Sequence, residues 1–250
     1  VDTIRDFSHI HEWQLAGVAV MPVVFDSSNI VSILTSYASP FSHSQEKIKP
    51  GYHAVTLQRY ALEAELTASS RVGFHRYQYP STGRQGVIVE LGGHLGPSDI
   101  TAGGFEKISD YEIRGFMVNG PTVRRIKECP VYFSATFNKP VKTIHVLDND
   151  TLTNVNSWKG RNGKILIEFH NPGTLLMKVG VSFVTEEGAA KNISKEIPHW
   201  DFDKVIKEAN DHWNTMLSRI TVKGGTLQQR KRFYTDLAHA IQGRRVISDA

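Results

Sequence analysis

A two-residue alternation of apolar and polar side chains recurs along this chain and constrains its fold more than any other feature. Segments 62–68, 131–137 and 164–170 read LEAELTA, VYFSATF and KILIEFH. Because successive side chains of a strand point to opposite faces, this period predicts strands with one buried and one solvent-exposed face. In segment 62–68 the face that carries Glu63, Glu65 and Thr67 is therefore expected to meet water.

More continuous apolar runs at 15–25, 87–91 and 175–184 predict central, buried strands. Turn-forming Pro, Gly and Asn residues separate the runs at a spacing of roughly ten residues. Short strands at that spacing are typical of antiparallel β-sandwiches. We therefore predict a mainly β fold, a large antiparallel β-sandwich that occupies residues 1–197.

The period changes after Pro198, where two helices with apolar faces are predicted over 202–217 and 227–241. Asp201 is a suitable N-cap for the first helix. Thr226 and Gln229 form a capping box that opens the second. Since two helices cannot bury their apolar faces on each other alone, we expect a helical linker at 198–225 and, at 226–250, the first helix of a further helical domain.

Composition and charge exclude several classes of protein. The chain has 250 residues with 29 Lys and Arg against 25 Asp and Glu, a scattered excess that does not indicate nucleic-acid binding. The single cysteine, Cys129, excludes an internal disulfide framework. The longest apolar stretch, 15–25, is shorter than the ~20 residues of a membrane helix. Because the sequence begins Val-Asp-Thr, we expect a processed or excised piece.

The segment 7–13, FSHIHEW, is the first candidate for chemistry. In a strand, His9 and His11 share a face, and an H-x-H pair beside a carboxylate such as Glu12 could hold a transition metal, as in cupin-type sandwiches. Further ligands for such a site are sought among His43, Glu46, His53 and His75. The same cluster could line a sugar site, or its histidines could be hydrogen-bonded structurally.

Two other clusters of polar side chains are candidates for a functional role. His43 and Glu46 lie close together in a small, polar loop that turn chemistry alone does not explain. Arg71, His75 and Tyr77 would share one face of a strand, an arrangement for which we favour a structural role on the sandwich surface. No nucleophile elbow, phosphate loop, H-E-x-x-H motif or nicotinamide fingerprint is present in the sequence.

Taken together, these segments resemble glycoside hydrolase family 92, the α-mannosidases found mainly in glycan-degrading bacteria. The matching segments follow the family order from one end of the chain to the other. They are Phe7–His11, Tyr37–His43 with Glu46, Pro50–Tyr52, Ala64–Ala68, Arg71–His75, Tyr132–Phe137, Trp213–Asn214 with Leu217, Phe233–Leu237 with His239, and Ser248–Asp249.

The resemblance implies an N-terminal sandwich, a helical linker and a C-terminal (α/α)6 barrel. The family removes terminal α-mannose from glycans with inversion, assisted by calcium, and inversion needs an acid and a base about 6.5–9.5 Å apart. The acid, the base and most calcium ligands belong to the barrel, which begins near the end of this chain. We therefore expect no catalytic or metal-ligating residue here, and no activity of the chain alone. The resemblance also implies a periplasmic or secreted bacterial protein.

Sandwich loops are then expected to cap the barrel pocket and to contact a mannose-containing glycan. Trp13 would stack on the apolar face of a hexose. His9, His11 and Glu12 would hydrogen-bond its hydroxyl groups from the same loop.

His43 and Glu46 would brace that loop. Two alternatives stay open: a carbohydrate-binding β-sandwich module without catalysis, and a cupin-like metal enzyme that uses His9 and His11.

Overall fold

The computed structural model describes residues 2–12, 15–95, 98–170, 173–242 and 248–250, with the backbone alone at residues 11, 12 and 95. No helix within those ranges is long and apolar enough to cross a membrane. The strands are β1 (Asp2–Ile4), β2 (Phe7–Glu12), β3 (Leu15–Phe25), β4 (Ser39–Phe41), β5 (Lys47–Lys49), β6 (Tyr52–Leu57), β7 (Leu62–Ala68), β8 (Val72–Gln78), β9 (Arg84–Glu90), β10 (Gly93–Leu95), β11 (Ser98–Ser109), β12 (Glu112–Asn119), β13 (Cys129–Phe137), β14 (Val141–Asp148), β15 (Thr151–Asn154), β16 (Ser157–Gly160), β17 (Gly163–Phe169) and β18 (Thr174–Ser182). The α-helices are α1 (Ile30–Thr35), α2 (Glu186–Glu196), α3 (Phe202–Leu217) and α4 (Leu227–Gln242).

The strands form two large antiparallel sheets, as the sequence predicts. The larger sheet has ten strands in the order β10-β11-β12-β13-β18-β8-β7-β6-β5, with β16 paired to β11. The smaller sheet has six strands in the order β15-β14-β17-β9-β3-β2, and β1 pairs with β4 apart from both. The main hydrophobic core draws buried side chains from both sheets, so the two sheets pack face to face as a sandwich.

The inward side of the predicted alternation is confirmed. Leu62 and Ala64 of β7, Phe133 of β13 and Ile167 of β17 are fully buried in the core. The continuous run Leu15–Phe25 is indeed a central strand, β3, paired on one side with β2 and on the other with β9. These strands form because their β-branched and aromatic side chains pack well on a pleated, buried surface.

The outward side of β7 differs from the prediction. Glu63 is exposed, but Glu65 and Thr67 are only 6% and 5% exposed. The physical reason is a second layer of helices, since α3 packs on β7 and α2 packs on β18 and β13. These helices enclose a second hydrophobic cluster, whose buried members are Val72, Phe74, Ile193, Ile197, Phe202 and Val205.

The two helices predicted after Pro198 are present with the predicted caps. Asp201 accepts a hydrogen bond from the Lys204 amide at the start of α3 (3.0 Å). At the start of α4, the Thr226 amide donates to Gln229 Oε1 (2.8 Å) and the Gln229 amide donates to Thr226 Oγ1 (3.2 Å). Helix α2 was not predicted, although Thr185 caps it by accepting a hydrogen bond from the Gly188 amide.

Candidate functional site

A cleft of about 560 Å³ lies where the edge strand β2 of the smaller sheet meets β6–β8 of the larger sheet. Its lining is rich in hydrogen-bonding and charged groups. They include Ser8, His9, Lys49, Tyr52, His53, Thr67, Ser69, Ser70, Arg71, His75 and Gln242. Such a concave surface, with several convergent polar groups, is the expected form of a small-molecule or sugar site.

A chain of hydrogen bonds links the two sheets at the floor of this cleft. His9 on β2 and His75 on β8 approach with their Nε2 atoms 2.7 Å apart. His9 Nδ1 lies 2.5 Å from the carbonyl oxygen of Val18, and the Tyr77 hydroxyl lies 2.7 Å from His75 Nδ1.

Because a carbonyl can only accept, His9 donates from Nδ1. His75 therefore donates from Nε2, and Tyr77 donates to His75. The partners thus assign one neutral tautomer to each ring.

Burial keeps this chain of side chains uncharged. His75 and Tyr77 are 2% and 0% exposed. Burial lowers the pKa of His9 to about 4, although the Val18 carbonyl opposes this, and it lowers the pKa of His75 well below its usual range. Burial likewise raises the pKa of Tyr77 well above its usual value. A proton added to His9 Nε2 would face the donor hydrogen of His75, so the geometry and the pKa directions agree.

Two backbone features accompany the contact. Val18 adopts a left-handed conformation, with φ of +49°, in the middle of a buried strand. This is strained for a β-branched residue and costs on the order of 1–3 kcal/mol. A Cβ at Gly73 would lie 2.6 Å from His9 Cδ2 and 2.9 Å from His9 Nε2, so the imidazole reaches His75 only because residue 73 lacks a side chain.

Glu46 organises the rim of the cleft. Its carboxylate contacts His43 Nδ1 at 2.6 Å and His53 Nε2 at 2.9 Å, and His43 Nε2 is 3.2 Å from Asp2. Burial raises the pKa of Glu46, but the hydrogen bonds from the two histidines outweigh it and lower the pKa overall. The hydrogen bond to Glu46 raises the pKa of His43. His53 lines the cleft and also packs edge-on against Phe7 of β2.

The structure places the predicted site residues unevenly. His9 lies in the cleft, and Glu46 holds His53 at its rim, whereas the exposed His43 lies outside the lining. His11 and Glu12 continue strand β2, opposite Ala16 and Leu15, and their side chains lie outside the described residues.

Trp13 lies outside the described residues altogether. His75 and Tyr77 do share a face of β8, but this face is buried between the sheets and not on the surface.

The sequence suggested His75 as a possible metal ligand beside His9 but did not predict their hydrogen bond, and it did not indicate the wall of the cleft from Lys49 to Arg71. The buried face shared by His75 and Tyr77 was the one available signal for the pairing. Both ring nitrogens of His9 are engaged in hydrogen bonds, and the side chain of His11, the other histidine of the cupin-like alternative, lies outside the described residues. Over the described ranges, no three His, Cys, Asp or Glu side chains stand close enough together to hold a metal ion.

The fold and cleft define an antiparallel β-sandwich with a helical extension and a polar site at the sandwich edge. Residues 1–182 match the glycosyl hydrolase family 92 N-terminal domain, and residues 188–250 match the glycosyl hydrolase family 92 catalytic domain. The chain therefore belongs to glycosyl hydrolase family 92, and the resemblance drawn from the sequence is confirmed.

Solved structures support the fold. A family GH92 α-mannosidase of Bacteroides thetaiotaomicron in complex with mannoimidazole is 22% identical, with a TM-score of 0.84 over 99% of this chain and 34% of that protein. A family GH92 inverting mannosidase of the same bacterium is 24% identical, with a TM-score of 0.81 over 97% of this chain and 33% of that protein.

Among curated proteins, an uncharacterized secreted glycosidase of Arthroderma benhamiae is 24% identical over 89% of this chain and 32% of its own length. The chain thus spans about a third of the length of the relatives it matches.

Proposed function

We propose that this chain is the N-terminal β-sandwich part of an exo-acting, inverting, calcium-dependent α-mannosidase that hydrolyses terminal α-mannosides of glycans. The observation that carries the proposal is the match to the family 92 N-terminal domain over residues 1–182, continued by the catalytic-domain match from residue 188. The structural relatives named as mannosidases support mannose as the sugar.

The cleft is the part of the chain proposed to meet the glycan. Its hydroxyl, imidazole and guanidinium groups can hydrogen-bond sugar hydroxyls. His9 lies at its floor on β2, and the segment that follows β2 carries Trp13, which we propose stacks on the hexose. His11 and Glu12 are proposed to contact the same sugar, with Glu46 bracing the rim through His53.

Catalysis and the calcium ion are assigned to the C-terminal (α/α)6 domain. Calcium prefers six to eight oxygen ligands, which that domain is proposed to supply. On this proposal the chain contributes recognition, while the proton transfers belong to its partner domain. We propose a secreted or periplasmic location, which the name of the fungal relative supports.

Hydrolysis assays test the proposal directly. An aryl α-mannoside and an α-linked mannobiose are offered, with calcium and with chelator, to this chain and to a longer form extended past Ala250. We expect hydrolysis by the longer form alone, loss of activity on chelation, and release of β-mannose, seen by NMR within minutes of mixing. Trp13→Ala should then weaken substrate binding, whereas Trp200→Ala, on the linker away from the cleft, should not.

The other outcomes are decisive as well. No hydrolysis of either substrate by the longer form refutes the mannosidase. Saturable mannoside binding by the chain, without hydrolysis in either form, would instead establish the sugar-binding module. Release of α-mannose would refute inversion, and activity that survives chelation would refute the calcium requirement.

A further inference from the structure

Residues Ser248–Ala250 are held against the sandwich by side chains that are distant in sequence. The Asp249 carboxylate accepts hydrogen bonds from Ser182 Oγ and Asn192 Nδ2, each at 2.9 Å. The Ala250 amide donates to Asn192 Oδ1 at 2.8 Å. Asn192 therefore uses both ends of its amide on this short segment, which we term the 248–250 clasp.

The groups that receive the clasp are buried and shaped for it. Ser182 and Asn192 are 2% and 0% exposed. Without the clasp, Asn192 Nδ2 would keep its bond to the Val181 carbonyl and Ser182 Oγ its bonds from the Val184 and Thr185 amides, but the buried Asn192 Oδ1 would lose the Ala250 amide. A Cβ at Gly188 would lie 2.3 Å from Asp249 Oδ2, so the carboxylate reaches its seat only because residue 188 is glycine. The two hydrogen-bond donors, Ser182 and Asn192, and the space left by Gly188 distinguish this carboxylate site from a chance surface contact.

Arg71 connects the clasp to the cleft. Its Nε donates to the Ser248 carbonyl at 2.5 Å, while its Nη1 and its backbone amide both bond to Glu196 at the end of α2. Arg71 also forms part of the cleft wall. A displacement of residues 248–250 would therefore release one of the contacts that fix a side chain of the cleft.

We propose that Asp249 is a positioning residue, which seats the segment matched by the catalytic-domain family on Ser182 and Asn192 and, through Arg71, fixes the wall of the cleft. The link to the cleft rests on the proposed function, whereas the seat itself does not. Neither Asp249 nor Asn192 lines the cleft. Asp249 reaches its wall through the contact of Ser248 with Arg71, whereas Asn192 also donates to the carbonyl of Val181, another lining residue (2.9 Å), so Asp249→Ala is the variant that isolates the route through Arg71.

Two measurements test the proposal. Amide exchange of Ala250 is followed by NMR in the chain for wild type, Asp249→Ala, Asn192→Asp and the matched control Ser194→Ala, which alters an exposed residue of α2. We expect exchange to rise about tenfold in the first two variants, as the charge-assisted hydrogen bonds are lost or become repulsive, and to stay unchanged in the control. The KM for an aryl α-mannoside is then measured for the same variants in the longer form. We expect Asp249→Ala and Asn192→Asp to raise the KM about fivefold or more with little change in kcat.

Each outcome bears on a separate claim. Exchange within twofold of wild type in both Asp249→Ala and Asn192→Asp would overturn the seat. Faster exchange with an unchanged KM would overturn the coupling to the cleft. Faster exchange in a longer form that hydrolyses no mannoside would refute the proposed function and leave the seat standing.

Discussion

Acidification should destabilise this protein through His9, before its carboxylates begin to titrate. The imidazole is neutral in the folded state because it donates to Val18 and accepts from His75 within a buried contact. Its pKa is lowered from 6.5 to about 4 by burial. Between those two values the unfolded chain binds a proton that the folded chain does not, so stability falls as the pH falls through this window.

The magnitude follows from the two pKa values. With 6.5 in the unfolded and about 4 in the folded state, lowering the pH from 7 to 5 costs about 2 kcal/mol of unfolding free energy. A urea m-value of about 2 kcal/mol/M converts this to a midpoint shift of about 1 M. His75, whose pKa is also lowered by burial, adds to the loss over the same window, as the pH falls below the unfolded value of 6.5. His43 opposes it, because its pKa is raised by the hydrogen bond to Glu46.

Urea denaturation at pH 7, 6 and 5 provides the assay, with wild type compared with His9→Gln. The glutamine removes the titrating group, so the difference between pH 7 and pH 5 should shrink by about 2 kcal/mol. At pH 7 the variant should itself be less stable by about 1–2 kcal/mol, because the hydrogen bond to Val18 is lost. His94→Gln is the control, since that side chain is 69% exposed and pairs only with Asp99 in the described contacts.

The reasoning fails if His9→Gln retains the full pH dependence of the wild type. It also fails if His94→Gln reduces that dependence as strongly as His9→Gln. Carboxylates with lowered pKa values, such as Glu168 at about 2, lose their stabilising contribution only below pH 5 and do not confound the comparison.

Three further predictions concern packing. Gly73→Ala should cost about 1–3 kcal/mol in urea denaturation, because the new Cβ overlaps the imidazole of His9; a neutral result would contradict the close approach. Glu65→Ala should lower the free energy of unfolding by about 2–3 kcal/mol, because it removes the partner of Arg76. This is less than for a fully buried ion pair, since Arg76 is partly exposed. A loss under ~1 kcal/mol would contradict a stabilising Glu65–Arg76 ion pair. The chain should self-associate in light scattering through the exposed apolar side of α4, and Phe233→Ser, at a side chain 36% exposed, should reduce this; a concentration-independent monomer would rule it out.

Local signals predicted the strands and the helix caps, because both depend on neighbouring residues. The alternation in β7 placed Leu62 and Ala64 inside correctly. It could not show that Glu65 lies beneath a helix that begins well over a hundred residues later. Helix α2 was missed because its sequence, EEGAAKNISKE, has few apolar residues, and Thr185 with two following glutamates was its one clear start signal.

The candidate site was predictable in part only. His9 was identified from the spacing of the histidines, but its partner His75 lies 66 residues away on the other sheet. No periodicity indicates which inward residues of two sheets meet. The need for Gly73 likewise follows from the contact, and neither it nor the left-handed conformation of Val18 has a sequence signal of its own.

The buried ammonium group of Lys178 holds the linker between β18 and α3. Lys178 is 4% exposed, donates to the Ile197 carbonyl at 2.9 Å and lies 4.0 Å from the ring centre of Trp200. Burial lowers the pKa of Lys178 to about 8, so the buried ammonium costs free energy below that pH and this cost is relieved as the pH rises above it. An apolar residue would bury more cheaply, but it would leave the Ile197 carbonyl without this partner and the linker free to shift along the sheet. At pH 7 the buried ammonium of Lys178 therefore costs stability, while its hydrogen bond fixes the path of the chain from β18 into α3. Lys178→Met should therefore preserve stability at pH 7 within about 1 kcal/mol while it increases amide exchange in the linker, and exchange at wild-type rates would refute this role.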